Sequence, residues 1–152
     1  MGKKTILYAL LVLFIAGASA AYYAYHEFYR QHDDISNVES AFDMEAVQLI
    51  REFTAAEQSA NARYLGKALT VSGMVKSIDI NEGLYTVSLG NTTDLASVRC
   101  SLDSLHSNEA VSLQVGAQIA VKGYCSGFNA DELLGSDVIL SRCAIETVNS
   151  KK

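Results

Sequence analysis

Ala68-Leu69-Thr70-Val71-Ser72-Gly73-Met74-Val75-Lys76 is the stretch on which the fold turns. Leu69, Val71, Gly73 and Val75 alternate with Thr70, Ser72, Met74 and Lys76, the period-two pattern of a strand with one buried face. Gly73 interrupts that face, and a glycine inside such a run marks a bulge where a strand bends sharply. A strongly bent first strand is what a small closed sheet requires. Toward the C-terminus the alternation recurs. Asn81-Glu82-Gly83 reads as a hairpin turn into Tyr85, Val87 and Leu89, and 90–94 (GNTTD) as the next turn, into Ala96, Val98, Cys100 and Leu102. A longer connection over 103–116 leads to a fourth strand over 118–125. A glycine-bounded loop over 126–136 then precedes a fifth strand over 137–145.

Five short strands, with the longest connection between the third and fourth, predict a mainly β domain. The pattern is that of the five-stranded Greek-key OB-fold barrel over 68–148. Ahead of it, Phe42, Ala46, Leu49, Phe53, Ala56 and Ala60 step by three and four residues, one face of a helix. Ser36 with Glu39, or Ser40 with Asp43, offers its capping box. An amphipathic helix over 40–67 is therefore expected to pack on the barrel, with Gly66 as its stop and Tyr64 and Leu65 packed at the junction.

The N-terminus has its own logic. The 21 residues from Thr5 to Tyr25 carry no charge, and as a helix they reach about 31 Å, the thickness of a bilayer core. Lys3 and Lys4 precede the run and Glu27, Asp33 and Asp34 lie beyond it, so the positive-inside bias keeps the N-terminus cytoplasmic and exports the rest of the chain. Tyr22, Tyr23, Tyr25, Phe28 and Tyr29 cluster where such a helix leaves the lipid. Residues 1–25 are read as a single-pass transmembrane anchor, and 26–39 as a polar linker. The alternative is a secretory signal cleaved after Ala18-Ser19-Ala20; both readings export the domain. No cysteine precedes Cys100, so a lipid-modified N-terminus has no acceptor here. His26, His32, Asp33 and Asp34 do not share a helix face and are read as solvated linker, so no metal site or cofactor is expected.

Several segments together carry a family resemblance: 60–67 (ANARYLGK), 71–75 (VSGMV), 98–100 (VRC), 121–127 (VKGYCSG) and 137–145 (DVILSRCAI). Over roughly residues 40–148 the chain resembles the bacterial tRNA anticodon-binding-like (tRNA_anti-like) family of OB-fold proteins. Many of its members carry an N-terminal membrane segment. The resemblance implies a bacterial envelope protein at the inner, cytoplasmic membrane, and it brings no catalytic residues to carry over.

Charge and composition then narrow the function. Of 152 residues, 12 are Lys or Arg and 17 Asp or Glu, a net charge of −5. The strand region from Ala68 to Ser150 holds four basic residues (Lys76, Arg99, Lys122, Arg142) against nine acidic ones. Phosphate neutralisation supplies most nucleic-acid affinity, so single-stranded DNA or RNA binding, which the family name implies, is the alternative reading. The preferred one is a non-enzymatic exported binding module whose ligand is a protein, a glycan or a cationic molecule. At the expected barrel mouth, Asn81, Tyr124, Phe128, Asp131 and Glu132 are the candidate ligand contacts, and Tyr85 is expected in the core. No catalytic residues are predicted, because His106, the single histidine of the strand region, lies in a polar connection with no evident partner. The cysteines at 100, 125 and 143 have no C-x-x-C spacing and alternate into the core. Cys100 with Cys143 is the favoured pair for a disulfide, since the third and fifth strands are neighbours in this barrel.

Overall fold

The computed structural model describes residues 2–28, 34–131 and 135–146. The chain divides into two compact units, Met1–Asp33 and Asp34–Lys152. In the first, helix α1 (Lys3–Phe28) takes up the whole uncharged run. Among the described residues, no helix is long and apolar enough to cross a membrane.

The second unit holds one sheet. Its strands are β1 (Phe42–Glu45), β2 (Ala68–Asn81), β3 (Leu84–Leu89), β4 (Ser97–Leu102), β5 (Gln118–Asp131) and β6 (Gly135–Glu146). The order is β1-β2-β3-β4-β6-β5, and β5 returns to pair with β2. Five strands thus close a ring in which β4 and β6 run parallel and the other neighbours antiparallel. The long β2 closes it by serving two partners. Its first half pairs with β5, from Ala68↔Tyr124 to Met74↔Gln118, and its second half with β3. The changeover falls at an irregularity between Val75 and Ser77. Gly73 sits beside it because a Cβ there would crowd the Cβ atoms of Ala46 and Leu89, at 2.9 and 3.3 Å. The expected bend is therefore present, two residues beyond the glycine that announced it.

Alternation along these strands fills the interior. Leu69, Val71, Val75, Val87, Leu89, Val98, Cys100, Val121, Leu140 and Cys143 are fully buried in one cluster. The single helix expected over 40–67 is instead three elements. Phe42–Glu45 is the sixth strand, parallel to the start of β2. Helix α2 (Ala46–Ala55) then stops at Ala56, whose φ/ψ of −157°/76° is not helical, and helix α3 (Glu57–Tyr64) resumes. The helical stripe was right in what it buries: Ala46, Leu49, Phe53 and Ala60 all enter the core. It failed at Phe42, whose backbone can pair with β2, and at Ala56, which is exposed at the break. Tyr64 is buried as expected, while Leu65 is half exposed.

The loop expected over 126–136 is mostly strand. β5 runs on to Asp131 and β6 starts at Gly135, a ladder ending at Asp131↔Gly135. The glycine that suggested a loop is a bulge residue, since the register shifts between Cys125 and Gly127 and Gly127 has φ 153°. The Asn81-Glu82-Gly83 turn is as read, with Glu82 and Gly83 both at positive φ (51° and 83°), which suits the twist of a tight hairpin.

Candidate functional site

OB folds take ligands on the sheet face formed by their second and third strands. Here those are β3 and β4, and a cavity of about 320 Å³ lies on them, lined by Lys76, Ser77, Asp79, Ser88, Leu95, Ser97, Arg99 and Asp137. Strand β2 supplies Lys76 and Asp79, β4 supplies Ser97 and Arg99, and the parallel pairing Ser97↔Asp137 brings in the acid from β6. The charges are already engaged. Lys76 Nζ donates to the carbonyls of Asp94 (2.5 Å) and Ala96 (2.9 Å), which holds the β3–β4 connection down. Ser97 Oγ donates to Asp137 Oδ1 at 2.5 Å, and Arg99 Nη1 lies 3.7 Å from Asp137 Oδ2. No lining residue is aromatic, and Tyr85 on β3 is partly buried against the core, as expected.

A second, wider groove of about 550 Å³ lies between β5, β6 and the end of α3, lined by Leu65, Gly66, Tyr124, Cys125, Ser126, Ser141 and Arg142. The Arg142 guanidinium stands 5.7 Å from the Tyr124 ring centroid, and its Nε lies 3.8 Å from Asp103 Oδ2. The Ser126 and Ser141 hydroxyls meet at 2.5 Å. Arg142 has φ 54°, a left-handed conformation uncommon outside glycine, at a point where β6 is irregularly paired with β5.

The candidate ligand contacts fall in different places. Tyr124 lines the second groove, whereas Phe128 stacks on Phe53 of α2 with ring centroids 5.3 Å apart. Four residues apart on one strand, they serve different clusters because the bulge between Cys125 and Gly127 inverts the alternation. Asn81 is exposed at the β2–β3 turn, Asp131 ends β5, and Glu132 lies outside the described residues.

All three cysteines are buried free thiols, so the pair favoured for a disulfide, Cys100 with Cys143, is not bonded. Strands β4 and β6 are neighbours as expected, and the Cys143 thiol hydrogen-bonds that of Cys100. That contact, with burial, raises the Cys143 pKa well above the ordinary thiol value, which makes it a poor nucleophile.

His106 does have partners, contrary to the sequence reading. Its Nε2 is 2.7 Å from Asp34 Oδ1 and its Nδ1 is 2.8 Å from Glu109 Oε1. Glu109 was close enough in sequence to be found by its i,i+3 spacing, but Asp34 is 72 residues away. The hydrogen bonds that its ring donates to Glu109 and Asp34 raise the His106 pKa above 6.5. With both nitrogens on carboxylates, the ring is not poised against a nucleophile. Among the described residues no cluster of three or more His, Cys, Asp or Glu is arranged to hold a metal ion.

The tRNA_anti-like family profile matches residues 1–144. The chain belongs to the tRNA_anti-like family. Among solved structures it is similar to a protein described as a putative nucleic acid-binding lipoprotein from Klebsiella pneumoniae subsp. pneumoniae MGH 78578. Identity is 17% over 78% of this chain and 100% of the other, with a TM-score of 0.55. At that identity the likeness shows the fold alone, and the fold of this tRNA_anti-like chain is the OB fold. A weaker likeness, at 17% identity and a TM-score of 0.38, covers 55% of this chain and 20% of the asparaginyl-tRNA synthetase of Pyrococcus horikoshii. No curated protein matches the chain.

Proposed function

We propose that this protein is a non-enzymatic OB-fold binding module, exported and held at the bacterial inner membrane by residues 5–25, that takes a polar, uncharged or mixed-charge ligand such as a peptide or glycan on the β3–β4 face. One observation carries the reading. Each of the four basic residues on the strands already has a partner: Lys76 two backbone carbonyls, Arg99 Asp137, Lys122 Glu146, and Arg142 Asp103. A polyanion would have to break those contacts before it gained any of its own, and among the described residues no aromatic side chain lines the face to stack bases. Three serines and two aspartates instead offer hydroxyl and carboxylate partners of the kind peptides and sugars use. An OB barrel of this class supports such use as readily as it supports nucleic-acid binding.

The tether rests on the 21 uncharged residues and the charge step across them. The Klebsiella protein is named a lipoprotein, whereas the tether proposed for this chain is the uncharged run of residues 5–25, inferred from its residues and flanking charges alone. Fusions of a periplasm-active and a cytoplasm-active reporter to the C-terminus test the orientation, and resistance of the full-length chain to alkaline extraction tests retention.

The ligand class is tested by titrating the full-length chain, in detergent micelles, into labelled oligo-dT and oligo-U across a salt series. The expected result is no saturable binding even at about 50 mM salt. Saturable binding that weakens steeply with salt would establish the nucleic-acid alternative and overturn the proposal.

A further inference from the structure

The first described residues of the second unit form a strap. Asp34 Oδ1 accepts the Ser36 amide at 3.0 Å and starts a 3-10 turn over Ile35–Asn37, closed by Asn37 N donating to Asp34 O and Val38 N to Ile35 O. Ile35 is only 2% exposed, seated with Ala68 of β2 and Ala144 of β6, and Val38 and Tyr124 pack around it. One foot of the strap is thus apolar. The other is ionic, the contact from Asp34 to His106.

The geometry of that ionic contact dictates a protonation state. Both ring nitrogens face carboxylate oxygens, at 2.7 and 2.8 Å. A neutral imidazole has one N–H and one lone pair, so it can satisfy only one of the two and turns its lone pair on the other; imidazolium donates to both. Glu109 is unable to turn away freely, because its Oε2 accepts the Ile145 amide of β6 at 3.1 Å. The other charged groups nearby are paired. Asp103, whose carbonyl accepts the His106 amide, faces Arg142, and Lys122 of β5 pairs with Glu146 of β6.

We infer that residues 34–38 are a pH-gated strap, hooked by the His106 imidazolium between Asp34 and Glu109, whose release uncovers the apolar seat of Ala68, Ala144 and Tyr124 beside the Arg142 groove. Tyr124 belongs to both the seat and the groove, so strap opening enlarges the groove on its apolar side. The direction in pH is set by the partners. His106, raised above 6.5, stabilises the closed strap fully below 6.5, and that stabilisation is lost as pH rises through the raised value. Asp34, lowered from 3.8 to about 2, contributes above 3.8, so the strap is closed through mildly acidic pH and opens on the alkaline side.

Hydrogen exchange of the full-length chain in detergent micelles reads the strap directly, through the amides of Ser36, Asn37 and Val38. Corrected for intrinsic rates, their protection is expected to fall about tenfold or more between about pD 5.5 and about pD 9, while β4 amides stay protected. In His106→Gln, which keeps a neutral amide in place of the ring, strap protection is expected to be low and flat across pH. Protected β4 amides in that variant exclude global unfolding as the cause. Strap protection in the native chain that does not change with pH, or a pH-dependent fall that survives in His106→Gln, would overturn the inference.

Discussion

Helix α2 holds the core closed through Phe53, and truncating that side chain gives the sharpest test of how the helix packs on the sheet. Phe53 has no exposed surface, stacks on Phe128 at 5.3 Å and lies 6.1 Å from the Tyr64 ring. A fully buried Phe→Ala change costs about 3–5 kcal/mol, the transfer free energy of the ring plus the cavity left behind. Two ring partners on different elements limit collapse of the site, which places Phe53→Ala near about 4 kcal/mol. For a folded unit of this size that corresponds to a drop in Tm on the order of 15 °C. Urea unfolding followed by far-ultraviolet circular dichroism measures it; the chain has no Trp, so fluorescence is the weaker probe. In a double-mutant cycle, Phe53→Ala and Phe128→Ala should couple by about 1 kcal/mol through their stack. A loss below about 1 kcal/mol for Phe53→Ala, or no coupling with Phe128, would show that α2 lies loosely on the sheet.

Three further outcomes rest on individual contacts. Tyr64→Phe removes the hydroxyl that donates to Glu52 Oε2 at 2.5 Å, and should cost about 1–2 kcal/mol in urea unfolding. Because that bond is the main reason the Glu52 pKa lies below 4.5, the carboxyl should also titrate higher by NMR in the variant. Gly123→Ala would set a Cβ onto Cys143 Sγ, with Leu140 Cβ and Ser141 O each at 3.3 Å, and should cost about 2–3 kcal/mol. Adding Cys143→Ala should recover part of that loss, and no recovery would place the clash elsewhere. On the acid side, Asp34 contributes stability above 3.8 that disappears as pH falls toward about 2, so Asp34→Asn should flatten that part of the pH–stability curve. A curve of the same shape in Asp34→Asn would refute the assignment.

The two cavities differ in what they ask of a ligand. The β3–β4 face offers serines and compensated charge, while the β5–β6 groove pairs an aromatic ring and a guanidinium with the exposed Leu65. Strap release changes only the second, through Tyr124. Binding that depends on pH therefore points to the groove, and binding that does not points to the face.

The residues alone determined the elements whose physics is local. Period-two alternation placed the strands, because side chains leave opposite faces of a strand whatever lies beside it. The Glu82-Gly83 turn was legible because few residues tolerate positive φ, and the helical stripe named Ala46, Leu49, Phe53 and Ala60 as core. Pairing and partnership were not legible. Phe42 lies on the helical period yet forms a strand, because β2 offers a free edge that no local preference reveals. Gly127 reads as a loop residue and is a bulge, and that one-residue slip alone sends Tyr124 outward and Phe128 inward. Cys100 and Cys143 were rightly placed on neighbouring strands, but adjacency does not make a bond, and both remain thiols. His106 looked partnerless because its second carboxylate comes from Asp34, and contacts across 72 residues are created only when the sheet closes and brings the strap onto β5 and β6.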